Sequence, residues 1–404
     1  MTLKNFLLGL GTALVVATMG NPARAQWVLT DLSVYSQWQA VACSADGMQL
    51  TAASYVDDTG DGGRIYTSTN FGTVWAEADA PTNYYWQAVA SSSNGVKLAG
   101  AAYEDEKGNP GLIYVSTNAG LTWKAPAAPS NLWAAVTMSA DGTKLAAVDS
   151  GAGDGFIYIS TNSGKSWKIT SAPNNSWASI ASSSNGTVLV AADSGYGDGL
   201  IYVSTNSGTA WTLTTAPVNE WTAVASSANG STLLAANSGN GDDLIYISTD
   251  YGGTWDATSA PTNQWASVAS SADGLLLAAA DSGYGDGLIY TSADAGGTWT
   301  PMQAPVSSWT SLASSADGKR LIASAYPAGV FIWQFIPSLS ITLTTSDLSI
   351  SWQTATNYQL QAASDLAAGN WVAVTNEPVQ VNGQSEVNLP LPLAENQYYR
   401  LAGQ

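Results

Sequence analysis

Apolar and polar positions alternate with a period of two over short runs of this chain, and the whole pattern recurs every 44 to 48 residues. One phrase marks the period, opening on tryptophan and closing on Asp-Gly or Asn-Gly. It reads WQAVACSADG from Trp38, WQAVASSSNG from Trp86, WAAVTMSADG from Trp133 and WASIASSSNG from Trp177. It continues as WTAVASSANG from Trp221, WASVASSADG from Trp265 and WTSLASSADG from Trp309. A period of two argues for half-buried strands rather than helices. Strands repeated at a spacing in the forties are the pattern of propeller blades, here seven of them.

The fourth repeat shows the predicted unit. Strands are expected over 177–182, 187–192, 200–204 and 210–214. Asn185-Gly186 reads as a two-residue type I′ hairpin turn, since both residues tolerate positive φ. The glycine-rich segment DSGYGDG from Asp193 joins the second strand to the third, and Ala216-Pro217 begins the crossing to the next repeat. The seventh repeat ends in VFIWQF from Val330 without a fourth strand. Its missing strand matches Trp27-Val28-Leu29-Thr30, so the N-terminal segment is expected to complete the last blade and leave no open edge.

Beyond Pro337 the repeat stops. Short alternating runs over 338–404 predict a small β-sandwich of six or seven strands. At the other end, Lys4, an apolar run from Phe6 to Met19 and Ala23-Arg24-Ala25 together read as a cleaved secretory leader. The expected organisation is a signal peptide over 1–25, an all-β seven-bladed propeller over 26–336 and a small β module over 337–404. No apolar run is long enough for a transmembrane helix. The chain is expected to be secreted, periplasmic or at the cell surface of a bacterium, and to be monomeric.

Composition narrows the chemistry. The chain has no histidine and one cysteine, Cys43. A Ser-His-Asp triad, a histidine-ligated metal and an internal disulfide are therefore excluded. Cys43 replaces a serine of the phrase and is expected to be a buried free thiol. With 12 basic and 30 acidic residues the formal charge is −18, or −20 once Lys4 and Arg24 leave with the leader. Such a chain repels phosphate backbones, so no nucleic-acid partner is expected.

The turn between the third and fourth strands carries the motif S-x-[DN]-x-G-x-x-W six times, on Asn70, Asn118, Asn162, Asn206, Asp250 and Asp294. It resembles the Asp-box, or BNR repeat, of sialidases, sortilin Vps10 domains, xyloglucanases and the photosystem II assembly factor propeller. Four copies carry Asn where that family usually has Asp. The resemblance implies a propeller whose boxes are structural and lie away from the ligand face. The side chain at Asp or Asn is suited to bond its own turn, and the tryptophan to bury apolar area.

On the opposite face, the loops between second and third strands hold 14 of the 30 acids. They are Asp57, Asp58 and Asp61; Glu104, Asp105 and Glu106; Asp149 and Asp154; Asp193 and Asp198; Asp242 and Asp243; Asp281 and Asp286. Four readings stay open: a solvated rim, calcium held by the pairs Asp149/Asp154, Asp193/Asp198 and Asp281/Asp286, glycoside hydrolysis by paired carboxylates, and a docking surface for a basic partner. The near-identical repetition of these pairs argues against a single catalytic pair. A sialidase, by the resemblance, needs three arginines, and 26–336 holds only Arg64 and Arg320. Tyr84, Tyr85, Tyr103 and Tyr326 break the symmetry, and with Trp86 they are the expected ligand contacts beside the acids of the first two loops. The expected function is non-enzymatic binding of a glycan or protein partner on this face, with a xyloglucanase-like hydrolase as the alternative and no cofactor beyond possible calcium.

Overall fold

The computed structural model describes residues 24–32, 35–125, 127–195, 198–239, 242–336, 339–343, 346–353, 358–364, 370–381, 384–390 and 398–403. The leader expected over 1–25 falls outside them, apart from its last two residues. The described residues divide into two compact units, Trp27–Trp333 and a second that takes in those of 24–26 and 334–403.

Seven antiparallel sheets, numbered here by their opening tryptophans, fill the larger unit. In the fourth, Trp177–Ser182, Leu189–Asp193, Ile201–Ser204 and Thr212–Leu213 lie in that order. The second sheet has three strands, and a single bridge between Val115 and Lys124 stands where a fourth strand pairs elsewhere. The seventh consists of Ser308–Ser314, Leu321–Tyr326, Gly329–Ile336 and, as its outer strand, Arg24–Leu29. Trp27 anchors that outer strand, 5.8 Å from Trp309 and 5.7 Å from Trp333 between ring centres.

The second strands explain why sheets stack side by side. Leu189–Asp193 is buried at all five positions, and its residues serve two cores in alternation. Leu189 and Ala191 join Trp177 and Val148 of the third sheet, whereas Val190 and Ala192 join Trp221 and Leu233 of the fifth. A strand covered on both faces favours apolar residues along most of its length, hence the Ala, Val and Leu runs that precede Asp193. Each opening tryptophan is at most 1% exposed. Each meets an aromatic ring of its own third strand, Tyr66, Tyr114, Tyr158, Tyr202, Tyr246, Tyr290 or Phe331, at 5.2 to 5.7 Å and steeply inclined. Such edge-on aromatic contacts add to plain area burial.

The sheets close into a cycle. At the first turn of each repeat a backbone N–H donates to the next repeat's carbonyl: Ala45 to Ser93, Ser93 to Ala140, Ala140 to Ser184, Ser184 to Ala228, Ala228 to Ala272, Ala272 to Ala316, and Ala316 back to Ala45. All seven bonds measure 2.7 to 2.9 Å. Inside lies a cavity of about 240 Å³, lined by the last residue of every first strand: Cys43, Ser91, Met138, Ser182, Ser226, Ser270 and Ser314. The serine hydroxyls there donate to their own following carbonyls. Cys43 is partly exposed to this cavity, and burial pushes its thiol up to about 12, with Asp46 adding to the rise.

The first turns are not type I′. Positive φ occurs at the glycine, +66° at Gly186, but not at Asn185. Gly186 N–H donates to Ser183 carbonyl at 2.9 Å, which spans a four-residue turn with the glycine in its last position. The Asn185 Oδ1 is occupied by Ser183 Oγ and the Thr187 N–H, a local network that favours this longer turn. The same network recurs at Asp46, Asn94, Asp141, Asn229, Asp273 and Asp317.

The S-x-[DN]-x-G-x-x-W turns are equally uniform. The serine Oγ donates to Oδ1 of the Asp or Asn, accepts from the glycine N–H, and Oδ1 also accepts an N–H four residues on, as at Ser68, Asn70, Gly72 and Val74. Only one oxygen is required, so Asn and Asp interchange. The second atom finds its own partner: Asn162 Nδ2 donates to Ser166, and Asp294 Oδ2 accepts from Thr298.

The smaller unit has two sheets. One is ordered Ser340–Leu343, Asp347–Gln353, Gln384–Pro390, Val379–Val381 and the other Val372–Ala373, Tyr358–Ala363, Tyr398–Gly403. Leu348, Ile350, Trp352, Leu360, Val387, Leu389 and Tyr399 form its core.

Candidate functional site: the acidic loop face

The second-to-third loops and the crossings are clamped together and so share one face. Gly155 and Asn175 exchange backbone hydrogen bonds at 3.0 and 3.2 Å, with the same bridge at Gly111–Asn131, Gly199–Asn219 and Gly287–Ser307. A Cβ on Gly155 would lie 2.1 Å from the Asp149 carbonyl oxygen and 2.7 Å from that of Asn175, so only glycine fits.

The acids of this face fall into two groups. Asp149, Asp193 and Asp281 sit opposite the opening tryptophans Trp133, Trp177 and Trp265 and are buried. Burial pushes all three carboxyls up. Their loop mates Asp154, Asp198 and Asp286 are exposed. Asn237 takes the tryptophan-facing position in the fifth sheet, and Asp242 approaches from the loop. It accepts from Asn219, Asn237 and the Tyr246 hydroxyl. Burial pushes Asp242 up, but these bonds prevail and hold it below the usual range; burial raises Asp243. Among the described residues no three His, Cys, Asp or Glu side chains gather, so each expected calcium pair offers two carboxylates from its own loop.

In the first two loops three of the six carboxylates hold loop backbone. Asp57 is buried, accepts from Thr59 and Asp61, and pairs with Arg64 at 3.0 Å. Burial opposes ionisation there, yet these partners keep its carboxyl below the ordinary value. Asp105 accepts from the Asn109 side chain and from the N–H groups of Asn109 and Lys107, which hold it low. Glu106 reaches across to the Gly62 N–H at 2.8 Å and bolts the second loop to the first. Asp58 and Asp61 are exposed, and Glu104 is half-buried.

The aromatic candidates separate. Trp86 is fully buried, so it is core and not a ligand contact. Tyr84 packs between Trp86 and Tyr114. Tyr85 faces the loops, where it stacks on Tyr55 at 4.8 Å and 16°. Tyr103 is half-buried and Tyr326 is 45% exposed. Tyr55 escaped the sequence reading. Its signal was available, because it stands at the same repeat position as Tyr103 and Tyr326. Burial raises its hydroxyl, and Glu104, Tyr103 and Tyr85 add to the rise.

No protein-family model matches the chain, and no curated protein matches it. Solved structures do. A GH74 xyloglucanase from Xanthomonas campestris superposes with TM-score 0.60 at 16% identity, over 81% of this chain and 59% of that one. YCF48 bound to a D1 peptide gives 0.56 at 15% identity, over 80% and 99%. YCF48 from Cyanidioschyzon merolae gives 0.57 at 16%, over 76% and 98%. The fold is a β-propeller. The chain thus spans under two thirds of the xyloglucanase but nearly the whole of each YCF48 chain. Among the described residues no helix is long and apolar enough to cross a membrane.

Proposed function

We propose that this protein is a non-enzymatic binding scaffold, a seven-bladed Asp-box propeller that docks a partner on its acidic loop face. The observation that carries the reading is what the loop carboxylates do. Asp57 and Asp105 are engaged by their own loops, Glu106 by the first loop and Asp242 by Asn219, Asn237 and Tyr246, while the buried Asp149, Asp193 and Asp281 recur at the same repeat position. A hydrolase needs one distinct acid and one distinct base or nucleophile. The YCF48 likeness, spanning nearly all of a chain bound to a peptide, favours a protein partner over a glycan. The leader-like N-terminus suggests that this docking takes place outside the cytoplasm, with the protein acting as a monomer.

The test places a photo-crosslinking residue at Asp58 on the loop face and, separately, at Asn162 on the opposite face. Adducts with a protein from position 58 alone support the reading. Adducts from position 162 alone overturn it. Release of reducing ends from xyloglucan, lost in Asp193→Asn, establishes the hydrolase instead.

A further inference from the structure

Three neighbouring sheets break the repeat on the loop face in the same way. The partner of the opening tryptophan is Ala325, Ser54 and Ala102 in sheets seven, one and two, against Asp149, Asp193, Asn237 and Asp281 in three to six. The following residue is Tyr326, Tyr55 and Tyr103 in the first set and Ser150, Ser194, Ser238 and Ser282 in the second. Three of these serines turn inward. Ser150, Ser194 and Ser282 donate to the crossing carbonyls of Leu132, Ser176 and Gln264 at 3.1 to 3.3 Å. A tyrosine is too long for that bond, and here Tyr326 is exposed while Tyr55 and Tyr103 are half-buried.

Sheets seven, one and two are consecutive around the ring, joined by the Ala316–Ala45 and Ala45–Ser93 bonds. The face therefore divides into a tyrosine sector and an Asp/Ser sector. Tyr85 extends the first by stacking on Tyr55, and Tyr35, 75% exposed, borders it where the Tyr55 N–H meets the Gln37 carbonyl. The charges here are one-sided. Asp58, Asp61 and Glu104 belong to these loops beside Glu106, which the Gly62 N–H holds, while Arg64 is already paired with Asp57 and Glu77 and leaves Lys107 as the other cation of these two loops.

We propose that the tyrosine sector is the docking surface for an extended partner segment carrying arginine. The inference rests on the docking reading above and names the chemistry of its partner. A guanidinium stacks flat on tyrosine faces while its edge donates to carboxylates, which a compact ammonium does less well. A neutral glycan uses the rings but leaves the carboxylate excess without a role.

The test titrates the full-length protein with tetra-arginine, tetra-lysine and tetra-citrulline amides, followed by tyrosine and tryptophan fluorescence. The expected order is arginine first, then lysine, with no binding of citrulline. Two rings contributing about 0.5 kcal/mol or more each make Tyr55→Ala with Tyr85→Ala about five-fold weaker. Glu104→Gln, which removes the charge and keeps the shape of the side chain, also weakens arginine binding, and Asp154→Asn with Asp286→Asn in the other sector does not. Equal losses in both sectors, or equal affinity for arginine and lysine, overturn the proposal in favour of diffuse attraction. Xylo-oligosaccharide binding abolished by Tyr85→Ala replaces the peptide by a glycan. No arginine binding overturns the proposal too, and crosslinks from position 58 then show that docking itself survives.

Discussion

Arg320 spans the seam between the seventh sheet and the first. Its Nη1 donates to the Asp46 carbonyl at 2.7 Å, and its guanidinium lies 5.3 Å from the Phe71 ring centre. Its stem covers Gly47, where a Cβ would come within 2.9 Å of Arg320 Cδ. A charge-assisted bond at this partly exposed site contributes about 1 kcal/mol. The ring contact adds about 0.5–1 kcal/mol. Arg320→Ala should therefore cost about 1.5–2 kcal/mol in urea unfolding followed by tryptophan fluorescence. Lys97 makes the comparable bond between the consecutive sheets two and three, to the Asp141 carbonyl at 2.8 Å, without a ring beneath it. Lys97→Ala should cost less, and Arg320→Lys should recover about half of the loss, since lysine keeps the charge but not the planar stack. An Arg320→Ala effect below about 0.5 kcal/mol, or one no larger than that of Lys97→Ala, refutes this account of the seam.

Trp86→Ala should lower stability by about 3–5 kcal/mol in the same assay, because the ring is core; a loss under about 1 kcal/mol would return it to the surface. Asp149, Asp193 and Asp281 hold their protons more tightly folded than unfolded, so each weakens the fold as pH climbs from the ordinary aspartate value of 3.8 through its raised folded value. Asp193→Asn, for which Asn237 is the internal precedent, should flatten the melting temperature across that window; an unchanged slope contradicts the burial argument. Cys43, pushed up to about 12, should resist a disulfide thiol reagent at pH 8 in the native protein and react promptly in urea. Prompt native labelling would show a thiolate that the cavity does not suppress. Gly47→Ala, at φ +71°, should cost about 1–2 kcal/mol from backbone conformation alone.

The repeat, its tryptophans and the strand shared between the chain's two ends were legible because each rests on a periodic apolar signal that local chemistry cannot mimic. Turn type was not. At Asn185-Gly186 the dipeptide suits a two-residue turn, and a serine two positions earlier, bonding the asparagine, selects a longer one. The roles of the acids were legible only as a group. Asp57 and Asp58 are adjacent, yet one is buried on Arg64 and the other exposed, a difference fixed by loop geometry. The Gly62–Glu106 bond joins residues 44 apart, beyond any local pattern. Tyr84 and Tyr85 separate by strand alternation alone, Tyr84 meeting Trp86 and Tyr114 and Tyr85 meeting Tyr55.

The outer strand of the seventh sheet has a consequence for biosynthesis. Thr30 bonds Val330 through both its N–H and its hydroxyl, across 300 residues of chain. At about 5–20 residues per second, the first-made strand waits roughly 15–60 s for its partner to be translated. Through that interval it is an unpaired edge, open to any passing strand. Whatever shields that segment during synthesis governs the yield of closed rings as much as the stability of the finished one.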